Sequence, residues 1–196
     1  MREIISDEEI LEKGGAKRLE YLEDAAKTYV LNITEDDNMV IGKGRRGRVP
    51  DVVVFGSATE KTAPQKRSDL PHFVIFRNGS VRQYVSLSDA SKVFETSSLS
   101  TQKNYYASGR GIVAFRCDNA ALYSVSVLFE GDGITDDQIL SAASLLRYIY
   151  LKILRIYGKK LPLDNNHIIS AAAIPCGYEC DFDTAIFTEL CKLRPV

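Results

Sequence analysis

Apolar residues recur at helical spacing in three segments of the chain. Residues 7–28 carry an apolar stripe that Ser6 can cap at its N-terminus. Residues 135–158 carry a longer stripe, with Thr135 and Gln138 as a capping box and a glycine at the end. Residues 181–193 repeat the pattern near the C-terminus. The pattern therefore predicts three helices.

Short apolar runs between these helices predict strands. Val52–Phe55 is continuously apolar, which is typical of a strand buried on both faces. His72–Arg77 and Ser80–Val85 flank Asn78-Gly79, which favours a two-residue hairpin turn with positive φ at both positions. Further strands are predicted at Gly111–Cys117 and Leu122–Glu130, and His167–Ala173 is predicted to be a short strand or an extended loop.

The remaining segments are predicted to be connections. Residues 32–50 hold an acidic run and then a basic run, and are interpreted as a connector. Residues 60–71 are predicted to be a loop, and residues 86–110 a surface excursion with a short helix. The order of elements predicts an α/β fold with a mixed central sheet flanked by helices over residues 51–196, preceded by a helix and basic connector over residues 1–50.

Composition narrows the class of protein. The 196 residues are 45% hydrophobic and 26% charged, with a formal net charge of −1, so we do not expect nucleic acid as a partner. No apolar run approaches the roughly 20 residues that span a bilayer. The acidic, polar start does not look like a signal peptide. We therefore expect a cytoplasmic protein with no membrane partner.

Five segments carry a family resemblance. They are, in order, VVVFGSAT from residue 52, LPHFVIFRNG from residue 70, SVSVLFEG from residue 124, TDDQ from residue 135, and His167 followed by Pro175-Cys176 and Asp181-Phe182-Asp183. Together they resemble the zinc-dependent N-acetylmuramoyl-L-alanine amidases, which include phage T7-type lysozymes and peptidoglycan recognition proteins. The resemblance implies an amidase-like domain and a peptidoglycan substrate.

The resemblance also implies a metal site. In that family two histidines and a Cys or Asp hold Zn²⁺, and the open fourth position carries the attacking water. Carried over, the late histidine is His167, and the third ligand is Cys176 or else Cys180. The first-strand position is Phe55, which has no lone pair to donate. The three-ligand site of the family therefore cannot form as such.

Two further family positions differ in this chain. Pro71 replaces the tyrosine that often precedes the second-strand histidine, and Ile174 replaces a lysine of some phage members. We interpret the protein as an amidase-fold protein that binds a ligand. The candidate ligands are a muropeptide, a phosphorylated or nucleotide-like small molecule, and a host protein. A phage origin is a further hypothesis. The alternative is an amidase with a rearranged zinc site, so the cofactor is either none or zinc.

His72 has two interpretations. It is either a hydrogen-bonded structural residue or a replacement metal ligand. With His167, Cys176 and Cys180 it could complete a closed four-ligand site, which would be structural rather than catalytic.

Basic and aromatic residues are candidates for ligand binding. The residues expected to border a cleft are Lys61, Arg67, Arg77, Tyr105, Tyr106 and Arg110. The basic run of the connector consists of Lys43, Arg45, Arg46 and Arg48. That run is either a solvated linker or a site for phosphate or an acidic partner. The N-terminal helix could also bind a protein partner or make a homo-oligomer.

Overall fold

The computed structural model describes residues 7–58, 66, 69–93, 106–108, 111–113, 120–164, 167–171 and 190. Its helices are α1 (Asp7–Thr28), α2 (Ala120–Tyr123) and α3 (Asp136–Tyr157). Its strands are β1 (Ile33–Val40), β2 (Lys43–Gly44), β3 (Val52–Ala58), β4 (Phe73–Ile75), β5 (Val81–Val85), β6 (Asp89–Ala90), β7 (Tyr106–Ser108), β8 (Gly111–Val113), β9 (Ser124–Glu130) and β10 (Ile168–Ser170). Across these ranges, none of the helices has the length and apolar character needed to cross a membrane.

Six strands form one mixed sheet in the order β1-β5-β4-β9-β3-β10. The β4–β5 pair is antiparallel and every other neighbouring pair is parallel. β3 lies between β9 and β10 and pairs with β9 from Val52↔Ser124 to Ala58↔Glu130. This interior position explains the continuous apolar run of β3. The predicted α/β class with a mixed central sheet is confirmed.

The two faces of the sheet carry separate apolar cores. Side chains alternate along a strand, so Val53 and Phe55 face the larger core under α1 and α3. Val54 faces a smaller cluster with Val93 and Ala171. The apolar stripe of α1 is used in the larger core, where Leu22 and Ala26 are buried.

The first two predicted helices are confirmed. α1 covers residues 7–28, and α3 begins after Thr135 with the predicted capping box and ends at Gly158, whose φ is 66°. The third predicted helix and Ser6 lie outside the described residues, except for Leu190, which is helical and buried in the larger core.

The predicted hairpin forms, but the prediction for its turn is wrong. The Gly79 N–H donates to the Phe76 carbonyl and the Phe76 N–H to the Ser80 carbonyl, both at 2.9 Å, so the loop has three residues. Gly79 has φ 79°, whereas Asn78 is not in the left-handed region. This is a turn followed by a left-handed glycine. Asn78 instead accepts the Ser80 N–H through its side chain at 3.0 Å.

The connector prediction for residues 32–50 is wrong. β1 pairs in parallel with β5, from Ile33↔Val81 onward, and β2 pairs with β6. The acidic residues of β1 are tolerated because β1 is an edge strand, where charged side chains reach solvent. Periodicity could not reveal such a strand, because charge replaced the apolar alternation. Residues 33–40 are therefore part of the main sheet.

The predicted loop over 60–71 falls largely outside the described residues. In the predicted excursion over 86–110 the structure places β6 and β7, and β7 pairs antiparallel with β8. The strand predicted over 111–117 is described for residues 111–113 only. Within the segment predicted over residues 167–173, the structure forms strand β10 at Ile168–Ser170, which confirms the strand there.

Candidate functional site

Phe55 occupies the first metal-ligand position that the resemblance implies. Its side chain is fully buried in the larger core, and its ring stacks on Phe129 with centroids 5.4 Å apart. Across the β3–β10 ladder it lies opposite Ser170. Zinc needs a nitrogen, oxygen or sulfur donor, and an aromatic hydrocarbon ring packed in a core supplies none. Phe55 therefore does not fit a metal ligand.

His167 lies at the other end of the ladder from Phe55. Its carbonyl accepts the Val53 N–H at 2.7 Å, and β10 begins at the next residue. Phe55 lies about 7–10 Å further along the strand direction, since each strand residue advances about 3.3 Å. His167 and the Phe55 position are therefore offset along the strand direction, with His167 before β10 and Phe55 beside its last residue.

The His167 ring is held in one orientation by a carboxylate. Its Nδ1 lies 2.7 Å from Asp164 Oδ1, which leaves Nε2 as the other polar atom of the ring. Asp51 belongs to the same edge of the sheet, and its Oδ1 is buried with no hydrogen-bond partner among the described residues. Burial raises the pKa of Asp51, and nearby His167 partly opposes that shift. Cys176 and Cys180 lie outside the described residues.

His72 is enclosed by polar groups and lies just before β4. The ring Nδ1 of His72 accepts a hydrogen bond from the Ser126 backbone N–H at 3.0 Å, and the His72 backbone N–H donates to Ser126 Oγ at 3.0 Å. The ring Nε2 lies 3.0 Å from the Asp89 carbonyl oxygen. Arg45 Nη2 lies 2.9 Å from the same Nε2. These contacts favour the structural interpretation of His72.

The two histidines lie far apart along the sheet. His72 lies next to β4 and His167 next to β10, with β9 and β3 between them. Three interstrand spacings separate their backbones by about 14 Å. Among the described residues, no group of three or more His, Cys, Asp or Glu could hold a metal. Cys176 and Cys180 lie outside the described residues, so the four-ligand site and the rearranged site stay predictions.

Arg45 is buried, which corrects its interpretation as part of a solvated or phosphate-binding run. It is only 3% exposed. Its Nε donates to the Leu87 carbonyl at 3.0 Å, Nη1 to the Leu122 carbonyl at 2.8 Å and Nη2 to the Ser124 carbonyl at 3.0 Å. Burial lowers its pKa to about 10, so the group is still a cation at neutral pH. Arg45 joins the β2 segment to the main sheet.

The structure describes some of the other predicted binding residues. Arg46 and Arg48 are exposed, and Lys43 lies in β2. Arg77 is exposed at the carboxyl end of β4, where its N–H donates to Glu130 Oε2 at 3.1 Å. Tyr106 begins β7. The structure does not describe Lys61, Arg67, Tyr105 or Arg110, so the predicted cleft is described only at Arg77.

Acid is expected to destabilise the fold through His72. Burial, followed by the charge of Arg45, lowers the pKa of His72 to about 3. Between its usual value of about 6.5 and that value, the unfolded chain binds a proton that the native protein does not. Stability should therefore fall by up to about 1.4 kcal/mol per pH unit as the pH decreases through this window.

Urea unfolding of wild type and His72→Gln over a pH series measures this effect. The destabilisation caused by the substitution should be largest near pH 7 and shrink toward pH 4, because only the wild type has the histidine to protonate. A destabilisation that is equal at pH 7 and pH 4 would contradict the prediction.

Solved structures resemble the whole arrangement. Staphylococcus aureus hydrolase AmiA, in complex with its ligand, matches with a TM-score of 0.53 and 10% sequence identity, over 90% of this chain and 89% of that chain. The N-acetylmuramoyl-L-alanine amidase LysC from Clostridium intestinale matches with a TM-score of 0.48 and 13% identity, over 82% and 95%. The chain has the amidase fold. No family model matches it, and no curated protein is significantly similar.

The structural match to AmiA confirms the fold that the sequence resemblance implied. A selenomethionine derivative of AmpD also matches, with a TM-score of 0.49 and 15% identity, over 82% of this chain and 93% of that chain. At such identities the likeness concerns the path of the backbone. The chemistry of the site has to be argued from the residues of this chain.

Proposed function

We propose that this protein uses the amidase fold to bind a peptidoglycan fragment without cleaving it through the zinc site of the family. Phe55 supports the proposal most directly. Its ring fills the core at the first ligand position and stacks on Phe129, so no donor is available there. His167 does not compensate, because it lies beside the start of β3.

The carboxyl ends of the parallel strands are the proposed binding edge. Ligands of open α/β sheets bind at this edge. Arg77 follows β4 there, and Glu130 ends β9 beside it. A muropeptide carries carboxylates, which an arginine can bind with two parallel hydrogen bonds. Tyr106, at the start of β7, and the undescribed candidates Lys61, Arg67, Tyr105 and Arg110 are proposed to complete the site.

A binding and cleavage assay on one muropeptide tests this proposal. Calorimetry should detect binding, and mass spectrometry should find the muropeptide intact after incubation with added zinc. Arg77→Ala should weaken binding at least about tenfold, because a hydrogen bond to a charged group contributes about 1.5–3 kcal/mol. Arg82→Ala, which removes an exposed arginine of β5, is the matched control.

Two results would oppose the proposal. Absence of binding would overturn the peptidoglycan ligand. Zinc-dependent release of peptide would overturn the loss of hydrolysis and favour the second candidate below.

The second candidate is a zinc amidase with a rearranged site. The contact between His167 Nδ1 and Asp164 favours it, because metal-binding histidines usually donate their other N–H to a carboxylate. In this arrangement His167 and Cys176 would hold zinc, which would polarise the amide carbonyl, and His72 would take no part. Elemental analysis should then find one zinc per chain, and Asp164→Asn should weaken zinc binding about 10–100-fold. Metal-free protein would exclude this candidate.

A further inference from the structure

A tight turn presents two arginines at the amino-terminal edge of the sheet, opposite the proposed binding edge. The Arg48 N–H donates to the Arg45 carbonyl at 2.9 Å. The two central residues, Arg46 and Gly47, have φ values of 52° and 74°. Positive φ at both positions defines a type I′ turn, whose backbone is rigid. Because Arg45 is anchored inside, the turn holds the exposed Arg46 and Arg48 outside.

The end of α3 contributes two more cations to this edge. The Tyr157 hydroxyl donates to the Leu87 carbonyl at 3.2 Å, and the same carbonyl accepts from Arg45 Nε at 3.0 Å. The end of α3 therefore lies against the anchor of the turn. Lys159 and Lys160 follow within three residues and are exposed. We call Arg46, Arg48, Lys159 and Lys160 the basic edge.

In the part of the chain that the structure describes, the acidic residues near the basic edge are partly buried or paired. Asp89 is partly buried in β6, and Asp164 lies beside the His167 ring. Asp51 is partly buried as well. The exposed charge of this edge is therefore positive, although the whole chain has a net charge of −1.

We propose that the basic edge binds a ligand through a chain of phosphate groups. Guanidinium groups bind phosphate oxygens in pairs, and lysines add compact charges. Several separate cations suit a ligand that carries several phosphates. A Cβ atom at Gly44 or Gly47 would meet nothing within 4 Å, so a ligand can approach the turn.

Calorimetry with inorganic tripolyphosphate in 50 mM salt tests the proposal. The Arg46→Gly/Arg48→Ala variant should bind at least tenfold more weakly than wild type. The fold should persist, because glycine adopts the left-handed conformation of residue 46 without strain, and an unchanged or higher Tm would verify this. Lys17→Ala/Arg82→Ala removes the same charge from exposed residues elsewhere and should keep the affinity.

Titrations with other phosphate compounds identify which part of the ligand the protein binds. A nucleoside triphosphate should bind at least as tightly as tripolyphosphate, and orthophosphate much more weakly. Equal affinity for orthophosphate, an equal loss in the control variant, or no tripolyphosphate binding in 50 mM salt would each overturn the proposal. Muropeptide binding should be unchanged in the arginine variant, so this proposal and the proposed function can fail separately.

Discussion

Replacing Arg45 with alanine is expected to lower the free energy of unfolding by about 3–5 kcal/mol. The substitution leaves the carbonyls of Leu122 and Ser124 without their arginine donor, while the Leu87 carbonyl keeps only the Tyr157 hydroxyl. Each unpaired buried acceptor costs about 1–3 kcal/mol, and entering water recovers part of the total. Urea unfolding monitored by circular dichroism measures the loss.

Two further variants of the same turn serve as comparisons for Arg45→Ala. Arg45→Lys should lose most of the same stability, because one ammonium group cannot replace the three-nitrogen fork. Arg46→Ala, at the exposed neighbour, should change stability by less than about 1 kcal/mol. A loss below about 1 kcal/mol in Arg45→Ala would show that the buried contacts contribute little.

Replacing Phe55 with alanine is expected to cost about 3–5 kcal/mol. The ring is fully buried and stacks on Phe129, so its removal leaves a cavity in the larger core. Phe76→Ala is the matched control, since this phenylalanine is only partly buried beside the exposed Arg82. It should cost clearly less in the same urea unfolding experiment.

Replacing Phe55 with histidine tests whether a metal ligand at this position could restore zinc binding. Phe55→His should be destabilised, because a polar ring would enter the apolar core without a partner. It should gain no zinc-dependent increase in Tm, since Ser170, not His167, is its neighbour across the ladder. A clear zinc-dependent increase in Tm would show that Phe55 replaced a working ligand at an otherwise intact site.

Elements with a strong local signal were predictable from the sequence. The helical spacing, capping box and terminal glycine of α3 all lie within the segment itself, and the apolar run of β3 reflects burial on both faces. β1 was not predictable, because an edge strand tolerates charge. The hairpin turn was predicted in place but not in type, since Asn-Gly is compatible with more than one loop geometry.

The site depended on contacts that are distant in sequence. Nothing in the basic run marks Arg45 as buried, because its acceptors lie 42 to 79 residues away. The position of His167 depends on where β10 begins, and a one-residue motif does not specify strand register. The departure at Phe55 was visible in the sequence, whereas its packing against Phe129 was not.

The pairing of β1 and the anchoring of Arg45 also determine the order in which the protein can assemble during synthesis. β1 needs β5, which lies 48 residues downstream at Ile33↔Val81, and Arg45 needs the carbonyl of Ser124, 79 residues downstream. The start of the chain therefore leaves the ribosome well before its partners exist. β1 can pair once β5 has been made, whereas the contact of Arg45 with Ser124 has to wait for β9, so the two contacts close loops of 48 and 79 residues.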